Sequence, residues 1–96
     1  MQITFTGHQI DVTPALKAFT EEKMQRLQHR HPSLDKVYVT FHIEKNSQVA
    51  EGKVHVNGTD IHASAESADM YTSIDQLVDK LIAQITKHKE KNTERR

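Results

Sequence analysis

The residues with the clearest chemical pattern are basic. In the C-terminal stretch, Lys80, Lys87 and Lys91 recur so that, at about 100° per residue, they fall in one narrow helical stripe. That stripe lies about a quarter-turn or slightly more from the apolar face, and Lys89 lies on the other flank. An earlier segment repeats the arrangement with Lys23, Arg26 and Arg30 near the edge of its apolar stripe. Lys23 sits almost within that stripe, where its stem can cover apolar surface while its ammonium reaches outward. If the two helices pack side by side, the basic sets form one cationic track. Such a track suits phosphate, because each cation that neutralises a phosphate releases counterions. Ordinary solubilising lysines are the alternative. Tyr38 and Tyr71 are the candidates for a partly exposed ring, so shape and backbone recognition of folded RNA fits better than stacking on single strands.

Other chemistry finds less support. The chain has no glycine-rich phosphate loop, no His-Glu-x-x-His and no Gly-x-Ser-x-Gly, and no enzymatic activity is expected. Asp75 and Asp79 are paired at helical spacing and read as a solvated face. Among seven histidines, His42, His55 and His62 should share an open sheet face, with His55 opposite Asp60. Imidazoles near a carboxylate can capture zinc, cobalt or nickel, but a polar, histidine-rich face is the plainer reading, and no metal or cofactor is expected. His29, His31 and His88 lie near the basic regions, where protonation near pH 6.5 would add charge.

Ninety-six residues fit one domain, spanning 1–96, with a basic C-terminal end at about 87–96 that can fray. Thirteen basic and thirteen acidic residues cancel formally, yet Lys80 to Arg96 holds six basic residues against Glu90 and Glu94. The absence of cysteine excludes disulfides and thiolate chemistry and fits a reducing cytoplasm. No apolar run reaches membrane-span length, and the N-terminus does not read as a signal peptide.

The elements follow from periodicity. Gln2–Thr6 alternates and reads as a strand broken by Gly7-His8. Thr13-Pro14 opens a helix with Leu16, Phe19, Met24 and Leu27 on one stripe, ending near Arg30 before Pro32. Lys36–Glu44 is the cleanest strand, with Val37, Val39, Phe41 and Ile43 on one face. Asn46 to Gly52 reads as a polar loop. Lys53–Val56 and Asp60–Glu66 flank Asn57-Gly58, a strong hairpin signal that places Val54, Val56, Ile61, Ala63 and Ala65 on the core face. Ser67 is a plausible cap, with Asp69 in the first turn, for a helix from about Ala68 to Asn92. Its stripe is Met70, Ile74, Leu77, Val78, Leu81 and Ile85. The order β-α-β-β-β-α predicts an α+β fold, a four-stranded sheet with both helices on one face. The first strand-helix-strand unit should be parallel and right-handed, and the later strands an antiparallel meander.

His55-Val56-Asn57-Gly58, Ile61-His62-Ala63-Ser64-Ala65-Glu66, Asp69-Met70-Tyr71, Ile74-Asp75, Asp79-Lys80-Leu81 and Lys87-His88-Lys89 resemble the bacterial hibernation promoting factors and their relative ribosome-associated inhibitor A, a family that includes the sigma-54 modulation proteins. Val37-Tyr38-Val39 and the helix holding Lys23 agree, and the likeness covers essentially the whole chain. It implies a fold similar to double-stranded RNA-binding domains. It also implies binding to the small ribosomal subunit, and to the 70S ribosome, in the channel of messenger RNA and the A- and P-site transfer RNAs. Translation would be blocked in stationary phase. The 16S rRNA contacts would fall on Lys23, Arg26, Arg30, Lys80, Lys87, Lys89 and Lys91. Asp69 and Tyr71 match a family motif, with helix capping and edge packing as the structural alternative. The chain's length resembles the short form, without the long form's dimerisation domain or the inhibitor's extended tail. That implies a monomer when free, which acts with ribosome modulation factor to pair ribosomes into 100S dimers. His29 and His31 depart from the usual pattern at the first helix end. No membrane or small-molecule partner is implied.

Overall fold

The computed structural model describes residues 1–94, with side chains described as far as Lys89. The elements are β1 (Gln2–His8), α1 (Pro14–Arg30), β2 (Lys36–Glu44), β3 (Ser47–Val56), β4 (Thr59–Ser67) and α2 (Met70–Glu94). They form one four-stranded sheet in the order β1-β2-β3-β4. β1 pairs parallel with β2, and the other two pairings are antiparallel. β1, β2 and β4 therefore share a direction. Each helix returns from a strand of that direction, so α1 and α2 run parallel, and the C-terminal end of α1 lies beside the second half of α2.

Local chemistry sets most boundaries as expected. Thr13 is extended and its Oγ1 accepts the Leu16 N–H at 3.2 Å, with Pro14 in the first turn of α1. Asn57 and Gly58 have φ of 52° and 77°, the left-handed pair of a two-residue hairpin turn. The hairpin register puts Val54 against Ile61 and His55 against Asp60. The apolar stripe of α2, from Met70 to Ile85, is buried against the core faces of β3 and β4. Val37, Val39, Phe41, Met24 and Leu27 complete the core, while the opposite face of the sheet stays uncovered.

Three boundaries differ from the sequence reading. β1 continues through Gly7 and His8, because these pair with Phe41 and His42. The helix cap is Asp69, whose Oδ2 accepts the Thr72 N–H at 3.0 Å, rather than Ser67. The hydroxyl of Ser67 instead donates to the Asp69 carbonyl at 2.6 Å and meets Ser73 Oγ at 2.8 Å. The largest change is at 46–52, read as a loop. It is strand β3, joined to β2 through Lys45-Asn46, with Lys45 at φ 56°. Its core face is carried by Ala50 and Gly52, which give no hydrophobic signal.

Those small residues have a steric reason. A Cβ on Gly52 would lie 2.9 Å from Leu81 Cδ1 and 3.3 Å from Leu77 Cδ1, so α2 presses directly on the β3 backbone. Overfilling such a site costs about 1–3 kcal/mol. Gly52→Val should therefore lower the urea midpoint at unchanged m-value, while retaining the helix and strand circular dichroism; an unaltered midpoint would refute this packing.

Candidate nucleic-acid interface

The basic residues expected on one track fall into two groups. Arg26 of α1 reaches across to α2, with Nη2 in contact with Asp79 Oδ1 and Nη1 3.5 Å from Asp75 Oδ1. Lys23 Nζ lies 3.8 Å from Asp75 Oδ1 and 5.3 Å from the centroid of Phe19. Its stem covers apolar surface as expected, but its charge faces a carboxylate. Asp75 and Asp79 are half-exposed, as a solvated face requires, but they are also paired. They are the seam between the helices, and they offset the first basic set where it was expected to join the second. These pairs are half-exposed, so each contributes about 0.2–1 kcal/mol.

Farther along the same seam, no further carboxylate pairs with α1 among the described residues. His31, the C-terminal cap of α1, is buried, and its Nε2 lies 3.2 Å from Thr86 Oγ1 of α2. Arg30 is exposed just before it, and Lys89 lies on the flank of α2 that faces it. The parallel course of the helices brings these groups to one end. α1 also ends there, so the negative pole of its dipole favours cations beside Arg30.

The other basic group lies on the opposite flank of α2. Lys80 turns away from α1 and over the β4 edge, where its Nζ donates to the Ser64 carbonyl at 2.9 Å. Lys87, two turns on, lines the same groove as Lys80, Ser64 and His62. Lys80 and Lys87 are therefore separated from Lys23 and Arg26 by the body of α2. Lys91, the third member of the expected stripe, has its side chain outside the described residues. Arg30 and Lys87 have no carboxylate partner among the described residues.

The open sheet face carries His42, His55 and His62 as the alternation requires. His55 Nδ1 lies 2.8 Å from Asp60 Oδ1, and that hydrogen bond holds the Asp60 carboxyl below its usual range. His42 lies 3.3 Å from Glu51 and 3.6 Å from Glu44. Among the described residues no group of three or more such side chains is placed to hold a metal ion. Asp69 caps α2, and the Tyr71 ring meets Phe19 edge-on at 4.9 Å. Both thus have the structural roles of capping and edge packing.

A sheet covered on one side by two parallel helices, with basic residues on the helices, is the architecture of a known family. The chain belongs to the Sigma 54 modulation protein / S30EA ribosomal protein family, whose model matches residues 3–93. Among its relatives, the ribosome hibernation promoting factor of Klebsiella oxytoca is 46% identical over 91 residues, covering 95% of this chain and 96% of the relative. That of Escherichia coli K12 is 44% identical with the same coverage. A ribosomal subunit interface protein from Coxiella burnetii superposes with a TM-score of 0.87 at 38% identity, over 94% of this chain and 99% of that one. The N-terminal domain of Thermus thermophilus Protein Y follows at 0.80 and 27%, over 92% and 99%.

Sequence reading missed the Asp75–Arg26–Asp79 seam and the burial of His31. One signal was present: Asp75, Asp79, Ile82, Thr86 and Lys89 share a helical flank, opposite Lys80. His31 was expected to add positive charge at mild acidity, and its surroundings oppose this. Burial pushes its pKa below 6.5 and Lys89 and Arg30 push the same way, while the Ile82 backbone acts against them. As pH falls below 6.5, the unfolded chain takes up this proton before the folded one. Stability from neutral His31 is complete above that value and is lost as pH drops through the lower folded value. Urea unfolding at pH 7.5 and pH 5 should show a fall in stability on acidification that His31→Gln reduces; an equal fall in both proteins would refute the assignment.

Proposed function

We propose that this protein is a ribosome hibernation factor that binds the small ribosomal subunit through 16S rRNA. It acts as one ribosome-binding domain in the cytoplasm, without enzymatic activity. It occupies the channel of messenger RNA and the A- and P-site transfer RNAs, blocks translation in stationary phase, and promotes 100S dimers together with ribosome modulation factor. The observation that carries this reading is the parallel course of α1 and α2. It gathers Arg30, Lys87 and Lys89 toward one end of the molecule, beyond the stretch where Asp75 and Asp79 offset Arg26 and Lys23. The relatives named ribosome hibernation promoting factor support the target, and their likeness spans nearly the whole chain.

The seam carboxylates give the electrostatic division a direction. Lys23 and Arg26 reach phosphate only by exchanging a carboxylate for it, whereas Arg30, Lys80 and Lys87 have no carboxylate to exchange among the described residues. The second set therefore carries more of the affinity. Each phosphate contact contributes about −0.7 to −0.9 to the log-log salt slope.

Co-sedimentation with 30S and 70S particles tests the target, and absence of the protein from both pellets at moderate salt would sink the reading. In the same assay, Arg30→Glu combined with Lys87→Glu should reduce binding at least ten-fold, whereas Arg26→Glu should have a smaller effect. Asp75→Asn with Asp79→Asn should tighten binding and steepen its salt dependence, because Lys23 and Arg26 are released to phosphate. Weaker binding by that variant, with the fold retained, would overturn the division.

A further inference from the structure

The uncovered sheet face has a feature that the helix surface does not use. Tyr38, Lys53 and His62 stand in one row across β2, β3 and β4, paired Tyr38 to Lys53 and Lys53 to His62. Tyr38 is 43% exposed, and the Lys53 ammonium lies 5.3 Å from its centroid. The next row is Thr40, Glu51 and Ser64, and Lys80 closes it from over the β4 edge. A single continuous groove joins these rows to Lys87. Neighbouring strands are about 4.8 Å apart, so Tyr38 and the β4 edge are about 10 Å apart. Glu51, the acid among the lining residues, is engaged at 3.3 Å by His42 Nδ1. The groove thus offers an aromatic ring at one end and Lys53, Lys80 and Lys87 along its course.

We infer that the open sheet face binds a single-stranded RNA segment, with one base stacked on Tyr38 and its phosphates following Lys53 toward Lys80 and Lys87. This combination of exposed ring and cationic groove is what single strands need: every base has a face to stack, and the backbone needs neutralising charge. A duplex cannot use it, because its bases are already stacked. An acidic peptide would find the cations but no role for Tyr38. The cation–π contact of Lys53 is solvent-exposed and weak, so the ammonium can leave the ring for a phosphate. Lys80 likewise exchanges the Ser64 carbonyl for a stronger, charged acceptor. The groove continues around β4 from the surface assigned to rRNA. The inference rests on the reading of the chain as an RNA binder, though not on the ribosome as its target.

The test is binding of an eight-nucleotide oligouridine, followed by fluorescence anisotropy and by amide shifts in NMR, beside 30S co-sedimentation. Tyr38→Ala should weaken oligouridine binding about five-fold or more, and Tyr38→Phe should not, since the ring carries the stacking. Amide shifts should cluster on the strands at Tyr38, Lys53 and His62. Equal affinity of wild type and Tyr38→Ala, shifts confined to the helices, or poly-glutamate displacing the RNA equally from both proteins would each overturn the proposal. Oligouridine binding through Tyr38 without 30S co-sedimentation would support it while sinking the ribosomal reading. 30S binding without any oligouridine binding would do the reverse.

Discussion

The architecture depends on a constraint of direction. Two helices, each with one apolar stripe, must share one face of a four-stranded sheet. Because β1 and β2 are parallel and β4 points with them, the helices that follow β1 and β4 cannot run opposite ways. Near their amino ends they meet at Phe19 and Tyr71, and the carboxyl end of α1 meets the second half of α2 at His31 and Thr86. An antiparallel pair would have placed the basic C-terminal half of α2 beside the start of α1. The parallel pair places it beside Arg30. Topology therefore decides where charge accumulates on a chain whose formal charge sums to zero.

Within that frame, the seam divides by chemistry. Its first half is polar and half-exposed, with Asp75 and Asp79 set against Lys23 and Arg26. Its second half is drier, with Ile82 and buried His31 between the helices. Ion pairs of the first kind contribute little to stability. Arg26 addresses two carboxylates one turn apart, while the buried residues between helix and sheet hold the helices in place.

Much of the fold was legible because the apolar pattern is regular. Val37, Val39 and Phe41 alternate, Met70 to Ile85 recur at helical spacing, and Asn57-Gly58 specifies its turn; each is borne out by burial or by backbone angle. The first half of β3 was hidden because Ala50 and Gly52 occupy core positions chosen for smallness, not hydrophobicity. The basic residues were legible as types and spacing. Their grouping was not, because a helical wheel gives angles without saying which neighbour lies on which side. Once α2 is known to lie over β3 and β4, Lys80 must lie toward β4 and Lys89 toward α1. His31 shows a different limit: nothing in its neighbours along the chain, Arg30 and Pro32, marks a buried imidazole.

The contact between Lys80 and the Ser64 carbonyl has a consequence for the protein as a solute. β4 is an outer strand, and its unpaired peptide groups invite another chain to add alongside. An ammonium seated on one of those carbonyls interrupts the line of acceptors and places a charge where an incoming backbone would have to lose water. A single long side chain from the neighbouring helix thereby discourages strand addition at this edge.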